Sequence, residues 1–141
     1  MTRSEITELI ARVQDAWNRR DIPALANFHT EDCILESPVA GGVVRGREAI
    51  ARSYEAFFHA FPDLAMTYDD PVIDGNRVVL ITLITGTDRG GFMGMAPTGR
   101  SVNFPCVLMF DVADGLITRE RRVYDFTGLA VQVGALKAKP G

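Results

Sequence analysis

Lysine is almost missing from this chain: it occurs only as Lys137 and Lys139, and the other basic residues are arginines that never gather into a run. With a net charge of −3 and a pI near 5.3, that balance argues against a nucleic-acid partner, whose footprint is ordinarily basic. Histidine and cysteine are equally scarce, at two each. Cys33 and Cys106 stand far apart without CxxC spacing, so they read as buried free thiols in a reduced compartment. Two scattered cysteines and two histidines do not make a zinc site, and no metal or cofactor is expected. No apolar run reaches membrane-spanning length, and the polar start MTRSEITELI lacks the core of a signal peptide. A soluble cytoplasmic protein with no membrane partner is the expectation. Repeats, low-complexity stretches and an interdomain linker are also absent.

What is present is enough for one ordinary domain. A chain of 141 residues, 47% hydrophobic and 23% charged, buries roughly 70% of its unfolded surface and needs no disulfide or metal for stability. Thr2 and Glu5 have the spacing of a capping box, after which Ile6, Leu9, Ile10, Val13 and Trp17 recur at helical steps. Asp21 is placed to cap a second, short helix with Pro23 in its first turn. Cys33–Glu36 reads as a short strand stopped by Pro38 and Gly41-Gly42. Gly46 precedes a third helix, reaching about Phe61, with Ile50, Tyr54, Phe57 and Phe58 as its apolar stripe and Pro62 as its terminator.

The period then changes to that of strands. Leu64–Ile73 and Arg77–Asp88 are joined through Asp74-Gly75-Asn76, a hairpin signal. Arg100–Val112 and Leu116–Phe126 are joined across Ala113-Asp114-Gly115. Thr127–Gly134 reads as a terminal helix. Helices first and antiparallel strands later make an α+β domain over residues 1–136, with 137–141 as a short tail. Strands this long usually curl. A mostly antiparallel curved sheet wrapped on the N-terminal helices leaves a cone with an apolar pocket for a small organic molecule.

The stretch GTDRGGFMGMAPTGR, Gly86 to Arg100, is longer than a bare hairpin needs. It reads either as a glycine-hinged flap carrying Phe92 and Met93 over the pocket mouth, or as a solvated loop. Phe61-Pro62-Asp63-Leu64, this stretch, and Asp125-x-x-Gly128-Leu129-x-x-Gln132-x-Gly134 together resemble the SnoaL-like polyketide and ester cyclases. That family lies within the nuclear-transport-factor-two-like superfamily of cystatin-like α+β folds, beside ketosteroid isomerase and limonene epoxide hydrolase. The resemblance implies a cofactor-free acid/base enzyme of cyclase, isomerase or lyase type on a hydrophobic carbonyl compound, and a homodimer.

It also implies site residues. Asp125 is the catalytic acid/base candidate, with capping of the terminal helix as its alternative role. Arg119, Arg121, Val123 and Asp125 share a strand face, and if that face is concave Arg121 is the electrostatic partner of Asp125. Asp88 stands where such sequences often carry histidine, so it is either a base or a loop-edge carboxylate pairing with Arg89 or Arg100. Ser37 precedes Pro38 where ketosteroid isomerases carry an aspartate base, and Arg122 fills the position of a limonene epoxide hydrolase aspartate, which argues against both reactions. Trp17, Tyr54, Phe58, Phe92, Met93 and Asn103 are the candidate substrate-binding residues. A metabolite-binding protein without turnover and a dimeric assembly module are the alternatives on the same fold.

Overall fold

The computed structural model describes residues 1–38 and 42–137; the expected break at Gly41 and most of the expected tail lie outside them. Helix α1 (Arg3–Asn18) starts at the expected capping box, with Glu5 N donating to Thr2 Oγ1 at 3.1 Å and Thr2 N to Glu5 Oε2 at 2.6 Å. Its apolar stripe, Ile6 to Trp17, is buried. Helix α2 (Ile22–Asn27) is capped by Asp21, whose carboxylate accepts from Ala24 N. Strand β1 (His29–Ser37) is longer than expected at both ends and pairs with a strand the sequence had not suggested, β2 (Gly42–Arg45). Helix α3 (Arg47–Ala60) then lays Ile50, Tyr54 and Phe58 into the core.

The expected strand Leu64–Ile73 is two strands, β3 (Ala65–Tyr68) and β4 (Val72–Asp74), both paired with β5 (Arg77–Thr87). Pro71 lies in the break, where its missing N–H cannot serve a ladder. Strands β6 (Ser101–Ala113) and β7 (Leu116–Tyr124) complete the sheet, and α4 (Phe126–Gln132) closes the chain. Asp114 and Gly115 both take positive φ, 50° and 80°, as the tight β6–β7 turn requires.

The sheet order is β2-β1-β7-β6-β5-β3, with β1 and β7 parallel and the other pairs antiparallel. The curved sheet stays open and carries the helices on its concave side, the cone-like α+β architecture expected. Inserting β1 beside β7 puts their ends, Ser37 and Tyr124, at the same rim. One irregularity decides what lines the inside: the β6–β7 register slips between Asp111 and Val112, where Thr118 is the extra residue. A bulge reverses the in/out parity of the strand beyond it. Ile117 faces the core before the bulge; Glu120, Arg122 and Tyr124 face inward after it, and Arg119, Arg121 and Val123 face out.

Candidate functional site

The concave face encloses a cavity of about 40 Å3, walled by Trp17, Phe57, Leu64, Met66, Ile84 and Phe104. That is room for about three waters. One wall is polar: Tyr54 from α3, Cys106 from β6, and Glu120, Arg122 and Tyr124 from β7. Glu120 is the hub. Its Oε1 faces His29 Nε2 at 3.0 Å and accepts from Tyr54 Oη at 3.2 Å; its Oε2 accepts from Arg122 Nε at 2.5 Å. Arg122 Nη2 donates to Ser53 Oγ at 3.0 Å, and the guanidinium lies 4.8 Å from the Tyr54 ring centre. Nη1 makes no hydrogen bond among the described residues.

His29 Nδ1 faces the Leu25 carbonyl oxygen at 2.8 Å, so that nitrogen carries a proton and donates. Its Nε2 faces the Glu120 carboxylate, which also pairs with the Arg122 guanidinium. Glu120 and Arg122 are thus an ion pair buried against an otherwise apolar cavity.

Burial pushes the Glu120 carboxyl up, but the Arg122 charge and the His29 hydrogen bond outweigh it and hold it at about 2. Burial also raises the Tyr54 phenol, with the Glu120 charge adding to it. Burial lifts the Cys106 thiol to about 11 and the Tyr124 phenol to about 12, so both stay protonated at neutral pH.

The residues singled out from the sequence fall on several surfaces. Trp17 and Tyr54 line the cavity. Phe58 is buried behind them, edge-on to Trp17 at 5.3 Å and stacked on Tyr54 at 6.0 Å. Asp125 is exposed and caps α4, its Oδ1 accepting from Gly128 N at 2.8 Å. Arg121 lies on the convex side, its Nε 2.6 Å from Glu36 Oε2. The shared face of Arg119, Arg121 and Val123 is thus the outer one, because the bulge at Thr118 reverses parity before it.

Asp88 is buried and organises the long loop: it accepts from Gly91 N at 3.1 Å and from Thr98 N and Oγ1 at 3.1 and 2.9 Å. The loop is tied to the end of α3 through Arg89 N and Gly90 N, both donating to the Ala60 carbonyl. A Cβ at Gly90 would sit 1.8 Å from His59 O, which is why that close approach requires glycine. Phe92 is buried among Phe57, Phe61 and Phe126, whereas Met93 is exposed. Asn103 is exposed; its backbone N–H and C=O exchange hydrogen bonds with the Gln132 side chain, docking α4 on β6.

His29, Ser53 and Glu120 went unnoticed in the sequence. Alternation along β7 could not single out Glu120, because Arg119 and Arg121 make the opposite face just as polar. Among the described residues no cluster of three or more histidine, cysteine and acidic side chains is arranged to hold a metal, and no helix is long and apolar enough to cross a membrane.

The family model described as SnoaL-like polyketide cyclase matches residues 7–133. The chain belongs to the SnoaL-like polyketide cyclase family. AclR from Streptomyces galilaeus, a candidate hydroxylase, superposes with a TM-score of 0.85 at 27% identity, covering 99% of this chain and 87% of its own. IdmH from Streptomyces antibioticus, a candidate polyketide cyclase, gives 0.78 at 28% identity, covering 91% and 97%. A Catenulispora acidiphila protein with a ketosteroid isomerase-like fold gives 0.75 over 94% and 98%; at 20% identity it speaks to the fold alone. No curated protein matches the chain. The SnoaL-like motif at the C-terminus has a structural logic of its own. Asp125 caps, Leu129 is core and Gln132 docks, while a Cβ at Gly128 would lie 2.2 Å from Asp125 Oδ2.

Proposed function

We propose that this SnoaL-like chain is a cofactor-independent acid/base enzyme of cyclase type, acting on a small hydrophobic carbonyl compound such as a polyketide ester. The observation that carries the reading is the buried guanidinium of Arg122, held by Glu120 on the wall of an otherwise apolar cavity. Removing a proton next to a carbonyl places negative charge on its oxygen, and a buried cation already in position stabilises that charge without solvent reorganisation. Glu120 is the ionised carboxylate of the cavity wall and takes the proton. Held at about 2 it is a weak base in the free protein. A ligand oxygen that draws on Arg122 loosens that hold and raises its proton affinity. His29 and Tyr54 keep the carboxylate oriented. The role first assigned to Asp125, Arg121 and Asp88 passes to these residues because Asp125 caps α4, Arg121 pairs with Glu36 on the convex side and Asp88 is buried in the long loop.

The experiment is hydrogen–deuterium exchange at the α-carbon of aromatic polyketide esters and simpler hydrophobic ketones, followed by NMR in D2O. Enzyme-dependent exchange, reduced at least a hundredfold by Arg122→Gln, supports the reading. The complete ion pairing of Glu120 favours a second reading, a binding protein that does not transform its ligand. Tight binding with no exchange would decide for it.

The convex sheet face supports a homodimer. Ile81, Leu83 and Val123 are 53%, 43% and 63% exposed, and the strand register sets them beside Pro105 and Val107. Sedimentation equilibrium with Val123→Lys tests this, with the monomer expected from the variant only.

A further inference from the structure

At the rim where β1 and β7 end side by side, two buried hydroxyls have no hydrogen-bond partner among the described residues: Ser37 Oγ and Tyr124 Oη. Buried polar atoms are nearly always paired, so an orphaned pair calls for a reason. Ser37 is 6% exposed and follows Glu36, the register partner of Arg121, which sets it beside Arg122 on the inner face. The two hydroxyls come close enough for Ser37 to moderate the acidity of the Tyr124 phenol, yet neither meets the geometry of a hydrogen bond. Both therefore have a proton to give. Tyr124 and Arg122 also belong to two spaces at once: the inner cavity, and a rim groove of about 360 Å3 that Ser37 lines as well.

We infer that Ser37 Oγ and Tyr124 Oη form a donor pair that, beside Arg122, holds an anionic or enolic oxygen of the ligand. This rests on reading the cavity as the working site, and it specifies that site's ligand as one presenting a charged oxygen from the rim. Two hydroxyl donors and a guanidinium suit an oxygen that gains negative charge better than a neutral ether or amine, which would leave donors unpaired. A pair of orphaned hydroxyls is costly in the free protein and rewarded only when the oxygen arrives. Burial keeps the Tyr124 phenol protonated, and so a donor, across the neutral range.

The test uses the full chain and substituted 2-naphthols as probes, with the ionisation of the bound probe read by absorbance. The parent binds the naphtholate in preference to the naphthol and shifts the bound probe's ionisation midpoint to lower pH. Tyr124→Phe and Ser37→Ala each weaken naphtholate binding about five- to tenfold and return the midpoint part of the way. Ser37→Thr, which keeps the hydroxyl, restores it. Neither deletion lowers the melting temperature, because neither breaks a bond of the folded protein.

Unchanged affinity and midpoint in both variants overturn the inference, and so does a parent that binds no naphtholate at millimolar concentration. A marked loss of stability in Tyr124→Phe overturns it too, since that hydroxyl would then already be bonded. Deuterium exchange that persists in Tyr124→Phe and Ser37→Ala but not in Arg122→Gln removes the donor pair and leaves the acid/base reading standing. Absence of exchange in the parent, with naphtholate binding intact, does the reverse.

Discussion

Replacing Glu120 by glutamine removes the hub of the buried wall. The carboxylate is 1% exposed and receives Tyr54 Oη and Arg122 Nε while facing His29 Nε2. Without it Arg122 is a buried cation with no counter-charge, and breaking a buried pair from one side costs about 3–5 kcal/mol. Against a domain stability of about 5–15 kcal/mol, the melting temperature should fall on the order of 10 °C or more.

The parent carries the same interaction in its acid limb. A folded carboxyl at about 2, against an ordinary 4.5, contributes stability that is fully present above the ordinary value. That stability fades as the pH falls through this window, by roughly 3 kcal/mol in all. Asp63, bonded by Thr87, and Asp111, bonded by Arg77, are lowered as well, so parent and variant must be compared at each pH. Urea unfolding at pH 7, 5, 4 and 3 should therefore show the two stabilities converging as the acid limb is descended. A variant within 1 kcal/mol of the parent at pH 7, or one that keeps the parent's acid slope, would refute the reasoning.

Three further outcomes follow from the same geometry. Asp125→Ala should cost about 1 kcal/mol in chemical unfolding through loss of the α4 cap, with α-proton exchange unchanged; lost exchange in a fully stable variant would return chemistry to Asp125. Asp88→Ala releases three hydrogen bonds that hold the 88–99 loop, so limited proteolysis should cut between Gly90 and Gly99 at least tenfold faster, and an unchanged rate would mean the loop is ordered by other contacts. Phe57 separates the inner cavity from outer grooves of about 400 and 270 Å3 that share its ring. Phe57→Ala should therefore speed entry of a hydrophobic fluorescent probe in stopped-flow measurements, whereas an unchanged rate would place the entrance at the Ser37–Tyr124 rim.

Much of the framework was decided by the sequence itself, because local rules govern it. Thr2 and Glu5 cap α1, Asp21 caps α2, the Ile6-to-Trp17 spacing faces the core, and Asp114-Gly115 makes a turn that few other pairs would. The motifs carrying the family resemblance were legible for the same reason: they are caps, close approaches and docking contacts, which need particular residues at particular spacings.

The site was decided by tertiary structure. Glu120 becomes a hub only because β1 crosses to lie parallel to β7, bringing His29 across 91 positions of sequence. Which face of β7 looks inward depends on one extra residue at Thr118, and a bulge leaves no periodic trace in a strand whose two faces are equally charged. Strand ladders are built of backbone groups common to every residue. The partners a strand takes, and the side chains that thereby meet, are settled by how the whole sheet closes over its core.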